Sequence, residues 1–344
     1  MKNKKIKIIC ASVILCIAIV CIIFLCYFKS VVNKPLKDDK NVTITVNEGD
    51  GFSNIIEQLD KKNKLRNKYI VKLKIRMDYK KISLVPGSYE IKSNVSLRQL
   101  IKILETEDIN KNLIKVTIPE GYNIEDMATV FEDAKLFSKD EFLKAVKEYK
   151  APSYVKKDSR KKYILEGYLY PNTYYINEKE TPEEVIKTMI DEFEKVIHEI
   201  EKEEDINIDN EKIEDVIIKA SLIEKEVKET SEKSIVSSVI DNRLKKNMKL
   251  QFCSTVNYVI GYKGHEVLTY KDIQVDSPYN TYKYSGLPIG PIASPGKDSI
   301  IAALKPKDTE YLYFVLSEDN KTHYFSKTEE EHNAAKEKAE KARQ

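Results

Sequence analysis

Tryptophan is absent from the 344 residues, so any aromatic stacking surface must be built from the 21 tyrosines. Tyrosine pairs an apolar ring face with a hydroxyl that can hydrogen-bond. Cysteine is scarce where it would matter for folding. Four of the five (Cys10, Cys16, Cys21, Cys26) lie in or beside one apolar run near the N-terminus, and Cys253 stands alone outside it. A lone thiol forms no intramolecular disulfide, so the fold rests on ordinary hydrophobic cores. A charge excess is missing too: 58 basic and 55 acidic residues leave a net charge of +3. That balance excludes a global polyanion-binding signature, and no nucleic-acid partner is expected. The four histidines (His198, His265, His323, His332) show no metal-ligand spacing such as H-x-x-x-H, so no metal or other cofactor is expected. Neither a G-x-S-x-G elbow nor a phosphate-cradling glycine loop occurs.

What is present begins with Lys2, Lys4, Lys5 and Lys7, followed by an uncharged, almost wholly apolar run over residues 8–28 and then Lys29. At about 1.5 Å per residue such a helix spans a hydrocarbon core of roughly 30 Å. The basic tip is expected on the cytoplasmic side and the rest of the chain outside, as a single-pass cell-membrane protein. The competing reading is a cleaved signal peptide, whose apolar region is shorter and ends in small residues. Cys26-Tyr27-Phe28-Lys29 offers no such cleavage site. Leu15 and Leu25 before Cys16 and Cys26 also disfavour a lipid-modified cysteine.

After a polar linker (residues 31–40) the chain repeats itself. TITVNEG at residues 43–49 resembles KVTIPEG at residues 115–121, each a short alternating strand ending in a Glu-Gly turn. A helix follows in each copy, marked by Ile55, Ile56 and Leu59 in the first and by Met127, Val130 and Phe131 in the second, then a second helix near residues 69–75 and 142–146. Leu97, Leu100, Ile101 and Leu104 mark another helix after the Pro86-Gly87 turn. Units of this β-α-α kind resemble LysM modules, which bind cell-wall glycan. The expected organisation is therefore a tip and anchor (1–30), a linker (31–40), a LysM-like module (41–110) and a larger domain (111–344), the last opening with the second repeat-like stretch (111–150).

Within the larger domain, Val185, Ile186, Met189, Ile190, Phe193, Val196 and Ile197 predict a helix over residues 181–208. Another helix carries Ile213, Val216, Ile217, Ala220, Ile223 and Val227 at steps of three or four, one buried stripe. The segment ASLIEKEV (residues 220–227) interrupts that stripe with Glu224 and Glu226. A carboxylate against a core costs several kcal/mol unless it is paired or stays protonated. A glutamate held protonated near neutral pH is what glycosidic-bond chemistry needs as a general acid. At about 100° per residue, helical phase puts Glu224 near the stripe's centre and Glu226 on its flank. The bland alternative has Glu224 paired with a core arginine such as Arg243, and Glu226 with a surface lysine.

Three further segments stand out: LEGYLYPNTY (165–174); SPYNTY (277–282) leading into GLPIGPIASPG (286–296); and the expected closing hairpin of YLYFV (311–315) and THYF (322–325). The Gly- and Pro-rich stretch cannot be a helix or central strand, and so forms a defined loop. In order, these motifs with ASLIEKE, Asn242-Arg243-Leu244 and His332-Asn333 closely resemble the YceG-like family of endolytic murein transglycosylases, across the whole chain. The resemblance implies an α+β protein: transmembrane helix, LysM-like module, and a mixed α+β catalytic domain with a lysozyme-like helical site.

The resemblance further implies cleavage of the bond between N-acetylmuramic acid and N-acetylglucosamine in peptidoglycan strands without water, leaving 1,6-anhydromuramyl ends. The catalytic acid carries over onto Glu226, the opposite choice from helical phase. In lysozyme-like transglycosylases the acid is commonly followed by Ser or Thr, where this chain has Val227. Glu166, Tyr279, Asn280 and Tyr282 are the expected residues orienting sugar and peptide groups. Partnership with penicillin-binding proteins is implied as well. Two departures are visible: Cys253-Ser254 replaces the family's usual Asp-Pro pair, removing any fixed role for that aspartate, and Asn172 stands where many relatives have Asp. A non-catalytic glycan-binding scaffold and a water-using muramidase remain the alternatives.

Overall fold

The computed structural model describes residues 2–37, 41–79, 82–105, 113–261 and 268–343, with side chains from residue 18 onward. His265, residues 8–17 of the apolar run and the end of the expected module (106–110) lie outside the residues so described. The chain is mixed α+β and divides into two compact units. The first is Met1–Lys115 with Thr173–Lys179; the second is Val116–Asn172 with Glu180–Gln344.

The first unit runs through α1 (Lys2–Asn33), β1 (Val42–Val46), α2 (Phe52–Lys61), α3 (Lys68–Asp78), β2 (Gly87–Ile91) and α4 (Leu97–Glu105). Strand alternation buries Val42, Ile44 and Val46 on one face of β1, and β2 pairs with it antiparallel, Ile44 opposite Tyr89. The apolar positions picked out by periodicity, Ile55, Ile56, Leu59, Leu97, Leu100, Ile101 and Leu104, all enter one core. Part of the expected linker joins them: Val31 and Leu36 are fully buried, and Leu36 bridges Leu65. Two apolar residues among the lysines suffice for this, because burying each releases its surface from water. Among the described residues, no helix is long and apolar enough to cross a membrane.

Strand β3 (Leu113–Thr117) pairs with β4 (Thr173–Asn177). The second unit then contains α5 (Ile124–Asp133), α6 (Lys139–Glu148), α7 (Pro182–Glu203), α8 (Ile213–Glu226), α9 (Thr230–Lys245), α10 (Cys253–Ile260), α11 (Lys297–Leu304), the hairpin β5 (Tyr313–Leu316) and β6 (His323–Ser326), and α12 (Glu329–Arg343). Capping boxes start α5 (Asn123 with Asp126), α6 (Ser138 with Glu141) and α7 (Thr181 with Glu184, and Pro182 in the first turn). In each, reciprocal side-chain bonds satisfy backbone N–H groups that lack helical partners.

Helix α8 departs from the single-stripe expectation. Glu214, Ile218, Lys219, Ser221 and Leu222 are buried along with Ile213, Ile217, Ala220 and Ile223. The helix packs against α9, α10 and α11, so it is covered on nearly every side. Its buried charges are compensated: Glu214 pairs with Lys161, and Lys219 reaches Asp241 at 2.7 Å.

Candidate active site

The last residue of α8 is Glu226, after which Val227 turns the backbone into an extended conformation. A carboxylate at a helix C-terminus faces the negative end of the macrodipole, which disfavours its charge. Burial acts in the same direction and is the largest influence holding the Glu226 carboxyl above the usual carboxylate range. The Ser254 hydroxyl opposes it, donating to Oε1 across 2.6 Å, and so do the nearby His323 and Lys225. The surface-lysine pairing expected in the bland reading does not form; the bonded partner is a serine from the first turn of α10.

Glu224, two residues earlier, sits in a different setting. Its Oε2 accepts from Lys233 Nζ (3.3 Å), Ser299 Oγ (2.6 Å) and the Gly296 amide (3.1 Å). Gly296 is the N-cap of α11 and has no side chain to cap with. Glu224 supplies from α8 the acceptor that helix needs. Helical phase thus identified a buried carboxylate, and tertiary contacts make it an anchor. Its partner is Lys233 and not Arg243, whose guanidinium bonds backbone carbonyls instead. Beside Glu224 lies Glu120, from the second Glu-Gly turn. Burial first, and then the charge of Glu224, push its carboxyl upward.

The Gly- and Pro-rich segment is the expected loop, fastened from both sides. Gly121 N donates to Ser294 O and Ser294 N to Tyr122 O, each at 2.9 Å, while Ile292 N reaches Ser221 Oγ of α8 at 3.2 Å. Lys225 turns away from Glu226, its Nζ on the Gly121 carbonyl at 3.1 Å.

The four expected substrate-orienting residues separate into two groups. Glu166 is 1% exposed, accepting from the Ile124 amide (3.1 Å) and from Tyr258 OH (2.9 Å). Burial pushes its carboxyl up to about 8 despite those bonds. Tyr279 is buried against Tyr258, ring centroids 5.0 Å apart, and its hydroxyl accepts from the Lys162 amide. Asn280 is fully buried, its amide nitrogen donating to the Ile273 and Val275 carbonyls. These three brace the interior and offer a ligand no face. Tyr282 alone of the four is half-buried and within electrostatic reach of Glu226. Its hydroxyl meets Cys253 Sγ at 3.0 Å.

Two neighbours of Glu226 were not singled out from sequence. Ser254 was visible only as part of the departure from the family's Asp-Pro pair. His323 was visible only as part of the hairpin. It is held by Glu232, which accepts from both the His323 amide (2.9 Å) and Nδ1 (2.7 Å). The site therefore gathers residues from α8, α9, α10, the 277–282 loop and β6, and is chemically equipped for proton transfer by one carboxyl group with hydroxyl and imidazole neighbours.

Comparison with known proteins agrees with this arrangement of motifs. An endolytic murein transglycosylase of Bacillus subtilis (strain 168) is 34% identical over 330 residues, covering 91% of this chain and 89% of the relative. One of the same description from Streptococcus pneumoniae (serotype 2, strain D39) is 30% identical over 319 residues, covering 85% of this chain and 57% of that longer protein. The crystal structure of a yceG-like protein from Listeria monocytogenes superposes with a TM-score of 0.56 at 31% identity, covering 86% of this chain and 99% of that one. The model of the YceG-like family matches residues 44–338, a span holding every residue of the site, and the chain belongs to that family.

Proposed function

We propose that the chain is a lytic murein transglycosylase in which Glu226 acts alone as acid and then base. The observation that carries this reading is the contrast at the end of α8. Glu224 is bound to a lysine and a helix N-terminus, whereas Glu226 accepts from Ser254 and, among the described residues, has no cation at bonding distance. The names of the Bacillus and Streptococcus relatives support the substrate.

The protonated Glu226 gives its proton to the glycosidic oxygen between C1 of N-acetylmuramic acid and N-acetylglucosamine. The C1–O bond breaks, the N-acetylglucosamine hydroxyl leaves, and positive charge develops at C1. Glu226, now a carboxylate, takes the proton of the muramyl C6 hydroxyl as O6 bonds to C1. The product is a 1,6-anhydromuramyl end. Hydrolytic glycosidases need a second carboxyl group to activate water or to form a covalent intermediate; an internal nucleophile removes that need. Glu226 returns to its protonated form, ready for another strand.

The finer parts of the reading concern placement. The apolar run at residues 8–28 supports a single-pass membrane anchor. The β-α-α order of β1, α2 and α3 supports a LysM-like, glycan-binding first unit. An anchored enzyme of this kind would cut nascent strands close to the penicillin-binding proteins that make them, ending their elongation.

The test is mass spectrometry of purified peptidoglycan digested by the full-length chain and by Glu226→Gln. Anhydromuramyl ends from the parent chain and none from the variant are expected. Reducing ends would instead identify a muramidase, and intact glycan a scaffold. Anhydromuramyl ends from the Gln variant would remove Glu226 from the mechanism.

A further inference from the structure

Arg243 on α9 is a buried cation that the proposed reaction does not use. It is 9% exposed. Its Nε donates to the Leu312 carbonyl at 2.6 Å, and Nη1 donates to the carbonyls of Leu250 (2.8 Å) and Lys249 (3.2 Å). No bond from Nη2 and no ion pair to a carboxylate exist among the described residues. Nη2 is not sealed away as a buried unpartnered atom either, so it faces accessible space. Burying a guanidinium with no anion beside it is unfavourable, and neutral carbonyls only partly offset that.

A second observation points to the same place. The guanidinium lies over the Tyr313 ring, 5.1 Å from its centroid. The His332 ring stacks on that tyrosine with centroids 5.1 Å apart and a 23° interplanar angle. His332 Nδ1 is buried without a hydrogen-bond partner. Burial, followed by Lys336 and Arg243, keeps the imidazole below its ordinary range. Tyr282 links this cluster to the acid, being within electrostatic reach of both Arg243 and Glu226.

We propose that Arg243, its plane set by Tyr313 and the stacked His332 ring, forms a carboxylate-binding subsite that receives a free carboxylate of the peptide stem on the murein strand. This rests on murein as the substrate and adds the group by which the strand is held. Two of the five guanidinium N–H donors remain available on Nη2, and a planar guanidinium edge matches a carboxylate in shape and charge. Tyr313 holds the plane of that edge from one side. Docking the stem here would fix the muramyl ring relative to Glu226 and supply the missing countercharge only when substrate is bound.

The test uses a tetrasaccharide carrying peptide stems, in its free-carboxylate form and as its methyl ester. Binding is measured to the full-length Glu226→Gln chain, which cannot turn the ligand over under the proposed mechanism. Esterification is expected to weaken binding by about tenfold or more, the usual worth of a charge-assisted contact. Adding Arg243→Lys, which keeps charge but loses the fork, should bring the free form down to the ester's affinity and leave the ester unchanged. Arg243→Gln, which removes the charge, should likewise lose about tenfold for the free form alone; it decides the matter if the lysine variant does not fold. Equal affinity of the two ligands for Glu226→Gln overturns the subsite. So does a folded Arg243→Lys variant that still discriminates between them. Cleavage of the free tetrasaccharide by the unsubstituted chain is followed in parallel. A chain that cleaves nothing yet discriminates by charge keeps the carboxylate subsite and loses the transglycosylase reading.

Discussion

The Ser254 hydroxyl on α10 donates to Oε1 of Glu226 at the end of α8 across 2.6 Å. A donor to a carboxylate favours its charged form, so this bond pulls against the burial that raises the Glu226 carboxyl. In the proposed reaction the balance of the two sets the pH range over which Glu226 can act as the acid.

Ser254→Ala should therefore raise the Glu226 pKa further. The alkaline limb of kcat/KM, where the acid loses its proton, is expected to move up by about one pH unit. Some rate is lost as well, because the carboxyl is no longer held in one orientation. The measurement is the pH profile of murein cleavage over roughly pH 4–9. An alkaline limb that stays in place or moves down would show that Ser254 does not tune the acid.

Glu224 and Glu226 should fail in opposite ways. Lys233 is 5% exposed at its side chain and its carboxylate partner is Glu224, so Glu224→Gln leaves a buried ammonium poorly compensated and weakens the start of α11. A stability loss of about 3 kcal/mol is expected in urea unfolding, with turnover per folded molecule changed only a few-fold. Glu226→Gln should keep the unfolding midpoint and lose turnover. The reverse pattern would exchange the roles of the two residues.

Glu166 makes stability depend on pH. Its carboxyl is raised to about 8 in the folded state from a reference value of 4.5. Below about pH 4.5 it is protonated in both states and costs nothing. Between there and about pH 8 the folded state holds a proton that the unfolded state has released, so the folded state loses ground as pH rises. Glu166→Gln removes this titration while keeping an acceptor for Ile124 N and Tyr258 OH. The variant should gain on the parent by up to about 1.4 kcal/mol per pH unit across this window. Urea midpoints at three pH values check it; parallel pH curves for the two proteins would exclude a titrating Glu166.

Much of the local structure is legible in single segments. Thr181, Pro182 and Glu184 announce the start of α7 because capping chemistry needs only four consecutive residues. The hairpin of β5 and β6 is visible as two apolar runs around Glu318-Asp319-Asn320, and Asp319 closes it by accepting from the Thr322 amide and hydroxyl. Gly167 is legible only as a glycine. Its φ of +84° and the contact a Cβ would make, 2.6 Å from Pro291 Cβ and 2.9 Å from Ile217 Cγ2, bring together three segments far apart in the sequence. No local pattern encodes that approach.

The site divides along the same line. Order and spacing of ASLIEKEV, SPYNTY and the Gly-Pro loop determine the family and narrow the acid to two carboxylates on one helix. Which glutamate is free was decided in three dimensions. Glu224 is occupied because Lys233 of α9 and the uncapped amide of Gly296 arrive beside it, and Glu226 is left to Ser254 because α10 delivers a hydroxyl instead of a cation. Helical phase reports how deep a side chain sits. Whether a buried carboxyl is paired or held as an acid depends on partners from other elements, and only the tertiary fold brings those within bonding distance.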